Sequence, residues 1–441
     1  MKKLMNSGSA VALTAIGTKA IQKLRLRILP FVLLLFVVAL IDRNNIGFAA
    51  LTMNKELAIT SQQFGLLFGI FYFGYFIFEI PSNLLLHKVG ARVWIARILI
   101  SWGIVATFSG VVHSAHQLYI VRFLLGLAEA GYFPGIVLYL TYWFPRREQA
   151  RAFALFIMAT PAATIVGAPI SGLILDHIHW LGFSSWRWLL ILEGAPAIAL
   201  GALTYFLLPS RPEAVKFLTP DEKKWIRAEL NREEQQKLDH RQYSVIQVLA
   251  SGRVWHLVLV YFGMTVGLHT LTSWAPQLVK SFSTAYSNSV IGLLLIMPGV
   301  AGVAAMILVS HSSDRRLERH YHVALPALGA AIAFFILGRA PSPVASMALL
   351  CLAAAGVYSY LAPFWALPNE FLTGYSAAAG IALINSVGNL GGLVGPTVVG
   401  FFAQRSGTLT SGLAFAAVPL IVSAVLVLVL PKKAPVLTRS G

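Results

Sequence analysis

The sequence predicts an all-α membrane protein in which twelve transmembrane helices form two pseudo-symmetric six-helix bundles. Hydrophobic residues make up 57% of the 441 residues and charged residues only 12%, against about 25% charged in an ordinary soluble domain. The apolar runs are long and do not alternate with polar residues, which favours helices over a membrane β-barrel. At about 20 residues for each span, the chain accommodates roughly twelve spans.

The apolar segments divide the chain into two halves of six spans each. The predicted spans cover residues 28–50, 64–86, 93–112, 118–142, 152–175, 188–208, 254–279, 290–309, 323–337, 344–367, 377–402 and 413–430. The predicted domains are therefore an N-terminal tail over 1–27, a first bundle over 28–208, a linker over 209–253, a second bundle over 254–430 and a C-terminal tail over 431–441.

Basic residues predict how the chain is oriented in the membrane. The net charge is +17, but the Lys and Arg residues lie in short loops between apolar runs, which argues against a nucleic-acid surface. They concentrate in the even-numbered connections, for example at Lys88, Arg147 and Arg316. Cytoplasmic loops carry this excess, so we expect both termini and the linker in the cytoplasm and the protein in a bacterial inner membrane.

Two further features support this division into a linker and two related halves. Within the linker, Thr219 and Pro220 are typical of a helix start, and we expect a surface helix from there to about Lys237. Weak internal similarity also relates the halves, since the Gly167–Gly172 segment of the fifth span has a counterpart at Gly395–Gly400 in the eleventh. Repeats of this kind place a substrate site near the membrane midplane.

Several function classes lack their usual motifs. The chain contains no P-loop, no HExxH, no Gly-x-Ser-x-Gly elbow and no nucleotide-binding fingerprint. Cys351 is the only cysteine, and the histidines show no metal spacing. We therefore expect no enzymatic activity, no cofactor and no metal. Secondary transport remains, which requires binding groups and a titrating group.

Four charges inside predicted spans are the main candidates for that chemistry. Arg122 and Glu129 lie seven residues apart in the fourth span, so a helix returns them to nearly the same face. Asp42 and Arg43 interrupt the first span. A charge at bilayer depth costs roughly 2.5 to 3.5 kcal/mol on insertion scales, which suggests a function. We predict that the arginines bind an anion and that Asp42 and Glu129 couple its movement to protons, the alternative being purely structural ion pairs.

Further polar residues could complete the pocket. Tyr75 in the second span is a candidate hydrogen-bond donor to substrate, whereas Glu79, one turn later, is interpreted as structural. In the second half, Asn385 and Asn389 are spaced to face one way, with interhelical hydrogen bonding as the alternative.

Two ring side chains of the second half each have two interpretations. Trp365 is a candidate for the same wall of the pocket, with packing alone as the alternative. His269 could take part in proton coupling, but a histidine satisfied by a neighbouring helix is the better interpretation.

These motifs resemble the major facilitator superfamily and, within it, the anion:cation symporter family. The carrying motifs are Asp42-Arg43-Asn44-Asn45-Ile46, the fourth-span run RFLLGLAEAGYFPG, FEIPSN, YWFPRREQARA and SDRRLER. The last three are similar to the bacterial branch that imports tartrate, sugar acids, phthalate and hydroxyphenylacetate. The resemblance implies a major facilitator fold over nearly the whole chain.

The resemblance also implies roles for individual residues. It implies carboxylate binding by Arg43 and Arg122 and proton coupling by Asp42 and Glu129. It further assigns Tyr75, Trp365 and Asn385 to the substrate pocket. One departure is plain, because the superfamily's cytoplasmic loop motif usually has an Asp where this chain has His87. Asp314 in SDRRLER could supply the corresponding latch in the other half.

The sequence therefore predicts a monomeric, proton-coupled importer of a small organic anion. A drug or metabolite exporter driven by proton antiport is the first rival, although Ala168 breaks the antiporter-like motif at Gly167–Gly172. A passive channel would need a continuous polar lining that few spans provide. A membrane enzyme lacks a nucleophile, a base and a metal set.

Overall fold

The fold was analysed in a computed structural model, which describes residues 2–239, 247, 250–368 and 374–431. The C-terminal tail predicted from residue 431 lies outside the described residues beyond Pro431. Twelve helical segments within the described part are long and apolar enough to cross a membrane. This confirms the predicted fold class.

The two halves contribute six spans each. The first six comprise Leu29–Glu56, Ser61–Val89, Ala91–Phe108, Ala115–Glu129 continued by Tyr132–Thr141, Arg146–His177 and Ser185–Leu207. The second six comprise Gly252–Phe282, Asn288–Leu294 continued by Ile296–Arg316, His320–Leu337, Pro343–Ser359 continued by Leu361–Ala366, Gly374–Gly388 continued by Gly391–Ser406, and Leu409–Val429. Outside the spans, α-helices cover Lys2–Arg27 and Pro220–Asp239, and short 3-10 turns cover Ser109–Val111, Trp180–Gly182 and Pro212–Ala214.

The fourth and eleventh spans, each expected to be continuous, are both interrupted. In the fourth, the helix ends at Glu129 and resumes at Tyr132, because Gly131 adopts a left-handed backbone with φ 83°. A Cβ at Gly131 would collide with the Ser82 side chain of the second span, so only glycine permits this turn and this approach. In the eleventh, the helix ends at Gly388 and resumes at Gly391.

Each half packs into its own bundle, and the bundles meet along a related set of helices. In the first half, the third span packs on the sixth, the first on the fifth and sixth, and the second on the fourth. In the second half, the ninth span packs on the tenth and twelfth, the eighth on the tenth, and the seventh on the eleventh and twelfth. Between the bundles, the second span contacts the eleventh, the fifth contacts the eighth and the first contacts the seventh. The pairs second–eleventh and fifth–eighth exchange under a two-fold axis, as pseudo-symmetry requires.

The outward faces of the spans are apolar. Ile120 and Leu124 on the fourth span are 56% and 44% exposed, and Phe206 on the sixth is 73% exposed. Large apolar side chains in such numbers are unusual on a soluble protein. They are what a surface in contact with lipid tails requires.

The bundles are joined by hydrogen bonds at the membrane side away from the N-terminal helix and the linker, which we call the distal side. The Asp176 carboxylate, at the end of the fifth span, accepts from the backbone N of Asn288 at 3.2 Å, from its Nδ2 at 2.8 Å and from the backbone N of Ser289 at 2.7 Å. These groups begin the eighth span, where unpaired N–H groups attract an anion. Asp176 therefore ties one bundle to the other.

A bulky residue at Gly172 should prevent the two bundles from packing together on the distal side. A Cβ there would overlap the backbone of Asn288, so Gly172→Val should push the bundles apart on the distal side without adding charge. We expect a cysteine introduced at Ser289, in a Cys351→Ser background, to react with a membrane-impermeant maleimide several-fold faster in the Gly172→Val protein. Gly182→Val, at a position with open space around it, controls for a general effect; its left-handed φ makes it the more strained of the two substitutions. Equal labelling in both variants would contradict the proposed role of Gly172.

The N-terminal tail is a helix that packs on the linker helix. Lys23 Nζ lies 2.9 Å from Glu222 Oε2, and Arg25 pairs with Glu148 at the start of the fifth span. Thr219 and Glu222 cap the linker helix reciprocally, through Thr219 N to Glu222 Oε2 at 2.8 Å and Glu222 N to Thr219 Oγ1 at 3.3 Å. Partial burial opposes ionisation of Glu222, but the Lys23 and Thr219 donors outweigh it and lower its pKa. The linker helix is thus attached to the first bundle.

Candidate functional site

An ion pair joins the first and fourth spans. Arg43 Nη2 contacts Glu129 Oε1, with the Glu129 side chain fully buried and the Arg43 side chain 15% exposed. Glu129 is the last residue of its helix segment, directly before the break at Gly131. The sequence assigned all four charges to one site without fixing their partners, and the tertiary structure pairs Arg43 of the first span with Glu129 of the fourth.

The second arginine, Arg122, is buried without a matching carboxylate contact. It is 2% exposed, and its Nε and Nη2 atoms have no hydrogen-bond partner among the described residues. The Phe71 ring lies between the two arginines, with its centroid 5.2 Å from Arg122 Cζ and 5.4 Å from Arg43 Cζ. The ring faces hold both cations in place but cannot satisfy the N–H donors of Arg122.

Asp42 is held by neutral donors. Its Oδ1 accepts from Asn45 Nδ2 at 3.1 Å, and its Oδ2 accepts from Trp102 Nε1 of the third span. The side chain is 2% exposed. Sequence reasoning missed Trp102, and no local pattern distinguishes it from the other tryptophans.

Glu193 is a further buried acid, and the sequence analysis missed it as well. It lies on the sixth span, is 6% exposed, and its Oε1 accepts from Ser171 Oγ at 2.7 Å. An acid five residues into the apolar run that begins at Trp188 was the signal that could have identified it. Asp42 and Asn45 are its neighbours on the first span.

Tyr75 and Glu79 both face the interior. Tyr75 is 3% exposed, and its ring centroid lies 5.6 Å from Arg43 Cζ. Glu79 is fully buried and accepts from Asn385 Nδ2 of the other bundle at 2.6 Å. The sequence interpreted Glu79 as structural, and its hydrogen bond to Asn385 joins the two bundles. Glu79 is also close enough to Arg43 for their charges to interact.

A second polar contact joins the bundles through His269. The hydroxyl of Tyr72, another residue that the sequence did not indicate, lies 2.8 Å from His269 Nδ1. The rings also pack at 4.2 Å between centroids. His269 is therefore bonded to a neighbouring helix, although this helix belongs to the opposite half.

The two other candidates of the second half differ in position. Trp365 is buried and packs edge-on against Tyr261 at 4.9 Å, and its ring centroid lies 6.4 Å from that of Phe133 on the fourth span. Asn389 follows the end of its helix segment and is half-buried. The backbone N of Asn389 donates to the carbonyl O of Asn385 at 2.9 Å, so the two residues remain one helical turn apart at the end of this segment.

A cavity open to solvent lies between the bundles, with about 560 Å³ of empty space that includes the solvent at its mouth. Its walls come from the first, fifth, seventh, eighth and tenth spans and are mostly apolar. The polar groups on the walls are neutral: Asn44, Asn45, Thr164, Ser171, Thr272 and Tyr358. Asn45 bonds Asp42 and Ser171 bonds Glu193, so both acids are one side chain away from this space.

His87 and Asp314 are the two loop residues that were considered as cytoplasmic latches. The side chain of His87 lies outside the described part of the chain. Asp314 Oδ1 pairs with Arg319 Nη1 at 2.6 Å, a contact between the eighth span and the start of the ninth. Asp314 therefore pairs within its own bundle.

Comparison with known proteins agrees with this architecture. The family model "Major Facilitator Superfamily" matches residues 32–396. A relative from Agrobacterium vitis, named "Putative tartrate transporter", is 46% identical over 95% of this chain and 96% of its own length. A "Quinolone resistance transporter" from Acinetobacter baumannii is 38% identical over 92% of this chain and 93% of its own.

A solved structure has the same fold at low sequence identity. The xylose transporter XylE from E. coli, in a partially occluded inward-open conformation, superposes with a TM-score of 0.72 at 16% identity, over 91% of this chain and 96% of its own. The family consists of transporters rather than enzymes. The chain belongs to the Major Facilitator Superfamily, in the anion:cation symporter branch that its first and fourth span motifs indicate.

Proposed function

We propose that this protein imports a small organic anion together with protons by alternating access. The substrate is a carboxylate, such as tartrate, a sugar acid or an aromatic acid. The protein acts as a monomer in the bacterial inner membrane, with both termini and the linker in the cytoplasm. The relative named as a tartrate transporter supports this substrate class.

The proposal rests on the two unpartnered N–H donors of Arg122. A buried N–H donor without an acceptor costs about 1 to 3 kcal/mol, and more when it is charged. Nε and Nη2 of Arg122 are two such donors, and a guanidinium offers them in a planar fork that fits a carboxylate. An anionic substrate supplies the missing acceptors.

Glu129 couples this binding to a proton. Arg43 is held by Glu129 in the present conformation. When Glu129 takes up a proton, its attraction for Arg43 weakens, and the guanidinium is free to join Arg122 on the substrate carboxylate. When the proton leaves, Arg43 returns to Glu129 and the substrate is released. Asp42, which is bonded to Asn45 and Trp102, serves as a second coupling acid.

The second bundle completes the substrate pocket. Tyr75 on the first bundle and Trp365, Asn385 and Asn389 on the second contact the part of the substrate that lies beyond its carboxylate. Asn385 is already bonded to Glu79 across the bundles, so a substrate that engages its amide changes a contact between the halves. Such a contact gives substrate binding a differential effect on the two conformations, as alternating access requires.

Export by proton antiport is the second candidate function. It is favoured by the relative named as a quinolone resistance transporter and by the mostly apolar walls of the cavity. Aromatic drugs bind such walls readily. The unpartnered donors of Arg122 favour the anion importer instead.

Transport by the purified protein in liposomes tests the proposal. With the inside alkaline and the membrane potential held at zero, labelled tartrate, gluconate or benzoate should accumulate, and a protonophore should abolish accumulation. Liposomes without protein provide the baseline. Flux that ignores the proton gradient would indicate a channel, and transport of a fluoroquinolone with none of the three acids would support the exporter.

A further inference from the structure

Glu193 is a buried carboxyl that the proposed exchange between Arg43 and Glu129 does not use. Its Oε1 accepts from Ser171 Oγ at 2.7 Å. Its Oε2 is buried and has no partner among the described residues. No ion pair in the described part of the chain involves Glu193, although other buried acids such as Glu129 have an arginine.

The charged group that acts on Glu193 is another acid. The sixth span packs against the third, first and fifth spans and the turn at Ser109–Val111. Asp42 on the first span acts on Glu193 electrostatically, whereas Asn45 and Ser171 are neutral neighbours. Two buried carboxylates that act on each other are costly to ionise together.

The cavity gives Glu193 access to water and protons. Ser171, its hydrogen-bond donor, and Asn45, its neighbour, both line the cavity between the bundles. Glu193 lies eight residues from the distal end of its span at Ser185, which is about 12 Å along a helix axis. Asp42 lies fourteen residues from Glu56 at the distal end of the first span, or about 21 Å. Glu193 is therefore closer to the distal side than Asp42 is.

We propose that Glu193 carries a transported proton of its own, in addition to those carried by Asp42 and Glu129. The carboxylate takes a proton from water in the cavity when the distal side is open. It returns that proton to water on the other side after the bundles rock. This inference rests on the proposed proton-coupled import, and it deepens it by adding one proton to each anion moved.

The ratio of protons to substrate measures this directly. With the membrane potential held at zero, one pH unit is worth about 1.4 kcal/mol for each symported proton, or about tenfold in the attainable accumulation ratio. Glu193→Gln should therefore lower the steady-state accumulation ratio about tenfold at an imposed gradient of one pH unit. Exchange of labelled for unlabelled substrate at equal pH should continue, which shows that the variant is folded and binds substrate.

Matched variants separate the carboxyl from its surroundings. Glu193→Asp keeps an acid and should keep the wild-type ratio. Thr164→Ala alters the same cavity wall without touching Glu193 and should keep it as well. If Glu193→Gln is not folded, Glu193→Asn compared with Glu193→Asp provides the same test. A wild-type ratio in the amide variants would overturn the role of Glu193, as would the same loss in Thr164→Ala. If the wild-type protein itself fails to accumulate substrate with the gradient, the proposed function fails first, so the two failures are distinguishable.

Discussion

Replacing Glu129 with Gln should abolish concentrative uptake while leaving substrate exchange in place. The amide preserves the shape of the side chain but can neither bind nor release a proton at this position. It also removes the charge that holds Arg43, so the substrate-bound arrangement of Arg43 no longer depends on protonation. Because substrate binding and release then no longer depend on protonation, protons bound at Asp42 and Glu193 are no longer tied to substrate movement. At an imposed gradient of one pH unit, the accumulation ratio should therefore fall to about one, whereas exchange at equal pH should persist. Uptake of labelled substrate into liposomes measures both quantities.

The matched control is an acid whose ion pair lies at the distal end, away from the site. Glu56 Oε1 lies 3.1 Å from Arg187 Nη2, and Glu56→Gln should keep wild-type accumulation. Removing one partner of a buried pair commonly costs about 3 to 5 kcal/mol, so the thermal stability of Glu129→Gln has to be measured alongside its transport. Full accumulation by a folded Glu129→Gln protein would exclude Glu129 from proton coupling.

Replacing Arg122 with Lys should weaken carboxylate binding by roughly ten- to a hundredfold. Hydrogen bonds to a charged group contribute about 1.5 to 3 kcal/mol, and tenfold in affinity corresponds to about 1.4 kcal/mol. Lysine keeps the positive charge but loses the planar pair of donors at Nε and Nη2. Titration of the purified protein with a panel of carboxylates, followed by thermal shift, measures the change in Kd.

Arg97 provides the matched control for this substitution. It is an arginine of the third span whose Nε and Nη2 are also unpartnered among the described residues. It is only half-buried and stacks on Trp94, with its Cζ 3.9 Å from the ring centroid. Arg97→Lys should therefore leave the carboxylate Kd unchanged. An equal loss in both variants, or none at Arg122, would contradict the assignment of Arg122 as the substrate-binding residue.

The sequence predicted the membrane fold because its signals are local. An apolar run long enough to span a bilayer identifies a helix without reference to the rest of the chain. A charge inside such a run is conspicuous for the same reason, which is why Asp42, Arg43, Arg122 and Glu129 were identified before the fold was known. Span ends were predicted within seven residues. The breaks at Gly131 and Asn389 were not predicted, because each depends on the chain around it.

The partners of these charges were decided by tertiary structure. The sequence showed that Asp42 and Arg43 are adjacent and that Arg122 and Glu129 share a helix face, but it did not assign a partner to any of the four. The bundle brings Arg43 to Glu129 and leaves two donors of Arg122 without an acceptor. Which guanidinium lacks an acceptor depends on how the first and fourth spans cross. The sequence of neither helix determines the distance between their side chains.

Contacts between distant helices also explain why the sequence indicated some site residues and not others. Glu79 and Asn385 are 306 positions apart along the chain and share a hydrogen bond, so only packing of the two bundles reveals their relation. Trp102 and Glu193 gain significance from facing Asp42 on a neighbouring helix. The sequence by itself determined that charged groups are buried in a membrane, since burial follows from the apolar residues beside them. Only the tertiary structure decided which of these groups are neutralised and which remain available to a substrate or a proton, since that depends on contacts between helices distant in sequence.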